Sequence, residues 1–379
     1  MSEILLEKPT TTPVKLNKWS VVLSIVKVLA VLFFFLVSLE LMSGGFKLLG
    51  KDTAKYIISI TTNPFISLFI GLLATAIIQS SSTTTSMIVA IVAAGTLTLE
   101  NAIPMIMGAN IGTSVTSTIV SLGHITRKDE YSRAVSAATV HDFFNIIVVS
   151  VLFPLNYFTG AIENMAHLIA GGFISVGSES SGSFFSILGA TTKPTAHFVM
   201  DLFSKNGLLV IAVALVLLFI SLRSFTVIMR QILDGHLKEK VETAVFGNPF
   251  KSVLWGSMIT AGVQSSSVTT SLTVPLVATD KISLQKAFPF LLGANIGTTI
   301  TALIASIGKS EAAISIALCH FLFNLLGVLL VMGIPMFRRL PVWLATQLGL
   351  KTLKYRVVGL AYVVTVFFLI PFALIYFTS

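Results

Sequence analysis

Residues 108–113 read Gly-Ala-Asn-Ile-Gly-Thr, and residues 293–298 read the same six letters in the same order. The offset of 185 holds elsewhere. Gln79-Ser80-Ser81-Ser82 returns as Gln264-Ser265-Ser266-Ser267, and Asn63-Pro64-Phe65 as Asn248-Pro249-Phe250. Thr75, Thr85, Ser86 and Thr116 return as Thr260, Thr270, Ser271 and Thr301. His141-x-x-x-Asn145 returns as His320-x-x-x-Asn324 at an offset of 179, so the second half is six residues shorter there. A six-residue identity in register with a four-residue one is an internal duplication, and self-similarity of this kind sets the architecture. The chain divides into a tail with a first spanning helix (1–43), a first repeat (44–175), a linker with a connecting helix (176–229), a second repeat (230–340), and an amphipathic segment with a final spanning helix (341–379). The Gly/Ser-rich stretch 171–190 reads as the linker proper.

Composition fixes the class. Of 379 residues, 54% are hydrophobic and only 11% charged, against about 25% charged in an ordinary soluble domain. That is too little charge to cover a soluble globule, which excludes a cytosolic enzyme and predicts an all-α polytopic membrane protein. The apolar runs are continuous, not alternating, which excludes a β-barrel. A single cysteine, Cys319, forbids an intramolecular disulfide and offers no zinc site. The net charge of +9 is concentrated in a few loops, as expected of loops flanking a membrane, and predicts no nucleic-acid partner. Residues 1–20 are polar, and the apolar run Val21–Met42 is too long for a signal peptide, so it reads as the first span.

Loop charge predicts how the halves lie. No Lys or Arg occurs from 56 to 126 or from 134 to 192, and the first half gathers Arg127, Lys128 and Arg133 after its Gly-Ala-Asn helix. The matching loop of the second half has only Lys309, while Lys281, Lys286, Arg338 and Arg339 stand at places where the first half has none, and the entry to the second half holds Lys238, Lys240 and Lys251. Because cytoplasmic loops carry the excess of Lys and Arg, the halves are expected to be inverted, with a substrate site near the midplane between them.

Asn63 to Gly95 predicts a re-entrant helical hairpin. The run to Gln79 and the run Thr83–Ala94 are about 24 and 18 Å long as helices, short of a ~30 Å hydrocarbon core, and a polar tip joins them. Asn248 to Ala278 repeats the pattern. At each tip a helix ends at Gln79 or Gln264, exposing carbonyls suited to sodium. The next helix begins in serines, exposing N–H groups and hydroxyls suited to an anion. Ser80, Ser81, Ser82, Ser265, Ser266 and Ser267 are therefore candidate oxyanion-binding residues. The competing reading is that these hydroxyls only bond back to the preceding turn.

On the following helices, Asn110, Thr113 and Thr116 share a face, as do Asn295, Thr298 and Thr301, and neutral oxygens so placed can dehydrate a hard monovalent cation. Interhelical hydrogen bonding is the alternative. Gly108 with Gly112, and Gly293 with Gly297, predict close helix approach. Asp142 is an acid within an apolar helix, a functional-site hypothesis by default. No base lies near it in that helix, so sodium is the expected partner, with Asn145 one turn on and Asn324 as that residue's counterpart; the position matching Asp142 is Phe321. His141 and His320 read as structural hydrogen-bonders, and a Ser/His/Asp hydrolase is excluded because His141 and Asp142 are adjacent on one helix.

These motifs, together with Ala138-Thr139-Val140-His141-Asp142-Phe143-Phe144-Asn145, resemble the type II sodium-dependent phosphate cotransporter family over about residues 20–375. The resemblance implies sodium-driven import of inorganic phosphate by alternating access, with two inverted repeats and sodium as co-substrate. It implies that the Gln-Ser-Ser stretches bind phosphate and sodium, that Thr298 and Thr301 are sodium ligands, and that Asp142 binds the extra sodium of electrogenic members, which have Asp there where electroneutral ones have Gly. The animal members differ by a large glycosylated, disulfide-bonded loop between repeats, one more span and a cytoplasmic tail; the short cysteine-free 171–205 region resembles a bacterial member in an inner membrane. Five basic residues between 338 and 356 predict a cytoplasmic N-terminus and an extracytoplasmic C-terminus. Symport of another oxyanion, or a passive anion channel, are the alternatives.

Overall fold

A computed structural model of the chain describes residues 18–179, 184–234 and 245–378. The polar start and the basic residues Lys238 and Lys240 lie outside these. The first half contains α1 (Lys18–Leu48), α2 (Lys51–Thr61), α3 (Pro64–Ile78), α4 (Ser81–Ala93), α5 (Leu99–Gly112), α6 (Val115–Ser121) and α7 (Lys128–Thr159). α8 (Ala161–Glu179), α9 (Phe184–Leu202) and α10 (Gly207–Asp234) follow. The second half contains α11 (Pro249–Val263), α12 (Ser266–Ala278), α13 (Leu284–Ser306) and α14 (Glu311–Gly333), then α15 (Pro335–Lys354), α16 (Val357–Val364) and α17 (Ile370–Thr378). The described residues form no strand. Among the described residues, seven stretches are long and apolar enough to cross a membrane: Ile25–Leu48, Leu99–His124, Lys128–Thr159, Gly207–Ile228, Leu284–Ser306, Glu311–Gly333 and Val357–Phe377. The chain is an all-helical, multi-pass membrane protein.

The short helices begin and end where their residues demand. Asn63 caps α3 by accepting from the Phe65 N–H at 3.0 Å, and Pro64 takes the first helical position, where its missing N–H is not needed. α2 meets α3 at 103°. α3 ends at Gln79, held left-handed at φ 56°. Ser80 then caps α4, accepting from the Thr83 N–H at 3.2 Å. The second half repeats each step: Asn248 accepts from the Phe250 N–H at 2.9 Å, Gln264 sits at φ 54°, and Ser265 caps α12. A left-handed glutamine is uncommon and strained; two, at equivalent positions, fix both tips.

Glycine sets the distance between each short helix and its long neighbour. A Cβ on Gly71, Gly108 or Gly112 would lie 1.9, 1.8 or 2.5 Å from the carbonyl oxygen of Met105, Leu68 or Leu72, so α3 and α5 touch backbone to backbone. Gly256, Gly293 and Gly297 do the same between α11 and α13, at 2.1, 2.0 and 2.4 Å from the oxygens of Phe290, Val253 and Ser257. The second arm of each short pair crosses over: α4 packs on α13 and α14, and α12 on α6 and α7. Arg133 of α7 donates from Nε to the Ala278 carbonyl, the last of α12, at 2.9 Å.

Helices α8 and α9 run through the Gly/Ser-rich stretch 171–190 except at 180–183, which lie outside the described residues. One expectation needs correction. The helix carrying Asn110, Thr113 and Thr116 is not continuous, because it breaks at Thr113–Ser114, whereas its counterpart runs unbroken as α13. In a regular helix the Asn110 carbonyl would accept from Ser114. Here it accepts from the Thr113 N–H at 3.4 Å and from Asn145 Nδ2 at 2.9 Å, and a side chain inserted into the ladder breaks a helix.

Candidate functional site

The two tips meet. Ser81 Oγ lies 3.5 Å from Ser266 Oγ, and these residues are each other's counterpart at offset 185. Ser82 donates from Oγ to the Gln264 carbonyl at 2.8 Å, closing the end of α11 with a hydroxyl from the opposite half. One turn deeper, Ser117 Oγ and Thr270 Oγ1 are 2.8 Å apart. Ser80 Oγ also takes a hydrogen bond from Thr83 Oγ1 at 2.8 Å, while Thr84, Thr85, Thr269 and Thr270 hydroxyls bond back along their own helices. Both readings of the Ser/Thr runs therefore hold, at different residues: Ser80 and Ser265 cap their own helices, Thr84, Thr85 and Thr269 bond back along theirs, and Ser81, Ser82, Ser266 and Thr270 meet the other half. The surroundings differ, since Gln264 is buried and Gln79 exposed.

Neither tip contains a formal charge, so what it offers an anion comes from backbone and hydroxyl dipoles. The capping serines satisfy one N–H each; the N–H groups of Ser81, Ser82, Ser266 and Ser267 belong to first helical turns, which have no acceptor in their own helix. Two such ends facing one point give a converging set of donors.

The long helices contribute a second polar layer. His141 Nε2 donates to Asn295 Oδ1 at 2.5 Å, Asn295 Nδ2 to Asn145 Oδ1 at 2.7 Å, and Asn145 Nδ2 to the Asn110 carbonyl. With Nε2 the donor, Nδ1 accepts from Ser114 Oγ, 3.2 Å away. His141 is thus a structural link between the halves, as its sequence suggested. His320 is not: it is fully buried, and neither ring nitrogen nor Asn324 Oδ1 has a partner. Asn324 Nδ2 bonds back to the His320 carbonyl, and Asn110 Nδ2 to the Ile106 carbonyl, so the counterpart network is unmade.

Thr113 and Thr298 donate to the Ala109 and Ala294 carbonyls at 3.0 and 2.9 Å, which leaves their hydroxyl lone pairs free to face a cation. Thr116 and Thr301 hydroxyls are buried without a partner. So are both oxygens of Asp142 in strict geometry, although the carboxylate is fully buried and the hydroxyls of Ser114 and Tyr362 stand beside it as the nearest donors. A buried carboxylate without a cation is costly, and sequence alone had not brought Tyr362, 220 residues away in the chain, to its side. Gly71 and Gly256 were also missed; their common offset was the available signal.

The family model described as Na+/Pi-cotransporter matches residues 34–178 and 217–366, which include both tips and both polar layers. The chain belongs to the Na+/Pi-cotransporter family. Membership sets it among transporters, not enzymes. Among its Na+/Pi-cotransporter relatives, sodium-dependent phosphate transport protein 2A of Rattus norvegicus is 34% identical over 419 residues, covering 90% of this chain and 66% of the rat protein. Sodium-dependent phosphate transport protein 2B of Homo sapiens is 33% identical over 445 residues, covering 92% of this chain and 64% of the human protein. The chain thus spans just under two thirds of the length of these relatives. No solved structure matches it.

Proposed function

We propose that the protein imports inorganic phosphate with sodium by alternating access, and that the transport is electrogenic. The observation that carries this is the contact of Ser81 with Ser266, two helix N-termini meeting from opposite halves. Phosphate would take the place of that hydroxyl–hydroxyl contact, received by Ser80, Ser81, Ser82, Ser265, Ser266 and Ser267. Sodium would be held by neutral oxygens of Gln79, Gln264, Asn110, Thr113, Asn145, Asn295, Thr298, Thr301 and Asn324, and by Asp142. The family and the names of its relatives support sodium and phosphate as the cargo.

Contact between a residue and its own counterpart is what a two-fold relation produces. Combined with the exchanged loop charge, it supports an inverted repeat (44–175 against 230–340) with re-entrant hairpins α3–α4 and α11–α12. The distribution of basic residues supports a cytoplasmic N-terminus and an extracytoplasmic C-terminus, and the short, cysteine-free 171–205 region supports a cell inner membrane. Radiolabelled phosphate uptake into proteoliposomes tests the function. An inward sodium gradient should drive accumulation, and Ser80→Ala or Ser265→Ala should abolish it while the protein stays folded. Uptake that persists without sodium would instead indicate a passive channel, and sodium-driven uptake of sulfate or arsenate in preference to phosphate another oxyanion symporter.

A further inference from the structure

The ends of two spanning helices and the start of α15 enclose a groove of about 610 Å³ that lies away from the tips. Gln285 and Phe288 line it from the first turns of α13, Met332 from the last turn of α14, and Arg338, Arg339 and Trp343 from α15. Because α13 begins and α14 ends there, the groove lies at the boundary between hydrocarbon and water. α15 is anchored beside it: its Pro341, Ala345, Gly349 and Thr352 are buried, and Gly349 comes so close to α7 that a Cβ would meet the Ser132 carbonyl at 2.4 Å. Neither Arg338 nor Arg339 forms an ion pair or a side-chain hydrogen bond with any described residue. Trp343 is 57% exposed. The groove therefore has a cationic end, an amide donor, an apolar wall and an interfacial aromatic.

We propose that this groove binds an anionic phospholipid, with the headgroup phosphate on Arg338, Arg339 and Gln285 and an acyl chain along Met332, Val342 and Trp343. A zwitterionic lipid would bring its own cation to the two guanidiniums, and a free phosphate would leave the apolar wall unused. Basic pockets between spanning helices hold anionic headgroups by this combination, and bidentate guanidinium contacts suit a phosphate.

The test uses the full chain in nanodiscs with Trp19→Phe and Trp255→Phe, leaving Trp343 as the reporter. Brominated phosphatidylglycerol should quench its fluorescence at lower mole fraction than brominated phosphatidylcholine. Arg338→Gln with Arg339→Gln should weaken that preference about thirty-fold, since each basic residue near anionic lipid contributes roughly five-fold; the double Lys variant should retain most of it. Equal quenching by both lipids overturns the proposal, as does a preference that survives the Gln substitutions or one abolished by millimolar inorganic phosphate. If the Gln variant fails to fold, loss of the preference in 0.5 M NaCl on the otherwise unchanged protein supports the site, and its persistence counts against it.

A different observation carries a second inference, which rests on the alternating-access reading. Asn145 sits in the ladder of the first half and breaks α5 from α6, while Asn324 is withdrawn and α13 is whole. We infer that the break moves between the halves: in the opposite-facing state Asn324 donates to the Asn295 carbonyl, Asn110 reaches His320, α13 breaks at Thr298–Thr299 and α5 joins α6. Hydrogen exchange of peptides covering 111–118 and 296–303, without sodium and with sodium plus phosphate, should show protection rising in one as it falls in the other. Both peptides changing together, or 296–303 staying protected in protein that transports phosphate, overturns this inference alone; absence of sodium-driven uptake overturns the function on which it rests.

Discussion

Asp142 keeps two carboxylate oxygens inside the protein with no cation beside them among the described residues, and the residues facing it, Ser114 and Tyr362, are neutral. A sodium ion there would restore neutrality and carry one charge inward with each phosphate. Moving that charge through ~100 mV is worth about 2.3 kcal/mol, roughly 40-fold in accumulation. Asp142→Gly removes acid and cation together, so the protein should fold and transport with no net charge per phosphate. The measurement is phosphate-evoked current against phosphate uptake; an unchanged ratio in the variant would exclude Asp142 as the sodium ligand. At the same scale, Gly108→Ala places a methyl 1.8 Å from the Leu68 carbonyl oxygen, and backbone cannot yield as a side chain does. It should destabilise the protein by about 3 kcal/mol or more, whereas Gly123→Ala, with no atom within 4 Å of its Cβ, should be nearly silent. Thermal unfolding in detergent compares the two.

Among elements, the contact least visible in sequence is the ion pair of Lys309, in the loop between α13 and α14, with Glu40 of α1, at 2.8 Å. Burial lowers the Lys309 amine below its ordinary range, and Glu40 opposes that shift. Glu40→Ala should therefore leave a buried cation unpaired and destabilise by about 3 kcal/mol, while Lys309→Ala strands only a carboxylate that is 20% exposed. With the folded-state value of the lysine depressed further, the unfolded chain binds its proton more readily, so the stability deficit of Glu40→Ala should shrink as pH rises toward the unfolded value of about 10.5. Denaturation midpoints at pH 7 and pH 9.5 give the sign. The boundaries of the short helices, by contrast, were legible because Asn, Pro and Ser caps act within four residues. The helical course of α8 and α9 through Gly- and Ser-rich residues was not, since Gly and Ser are poor helix formers and carry no local signal for a helix. Nor could identical letters reveal that α5 breaks and α13 does not: the difference lies in which carbonyl a distant asparagine selects.

At the scale of the molecule, two halves of one pattern hold different arrangements, with Gln79 exposed and Gln264 buried, and one histidine network made and the other unmade. If the halves are inverted, a reporter that works only in the cytoplasm should be silent when fused after Ser379 and active when fused to the N-terminus; activity at both ends would remove the orientation from the proposal. The contact of Ser81 with Ser266 has a consequence for ancestry. A residue that touches its own counterpart makes a contact that a half-length chain forms on meeting a second copy of itself. The central contact of the candidate site thus requires one half's worth of genetic information, and a later fusion of the copies would have preserved it while freeing Asp142, which faces no equivalent acid, to arise on one side only.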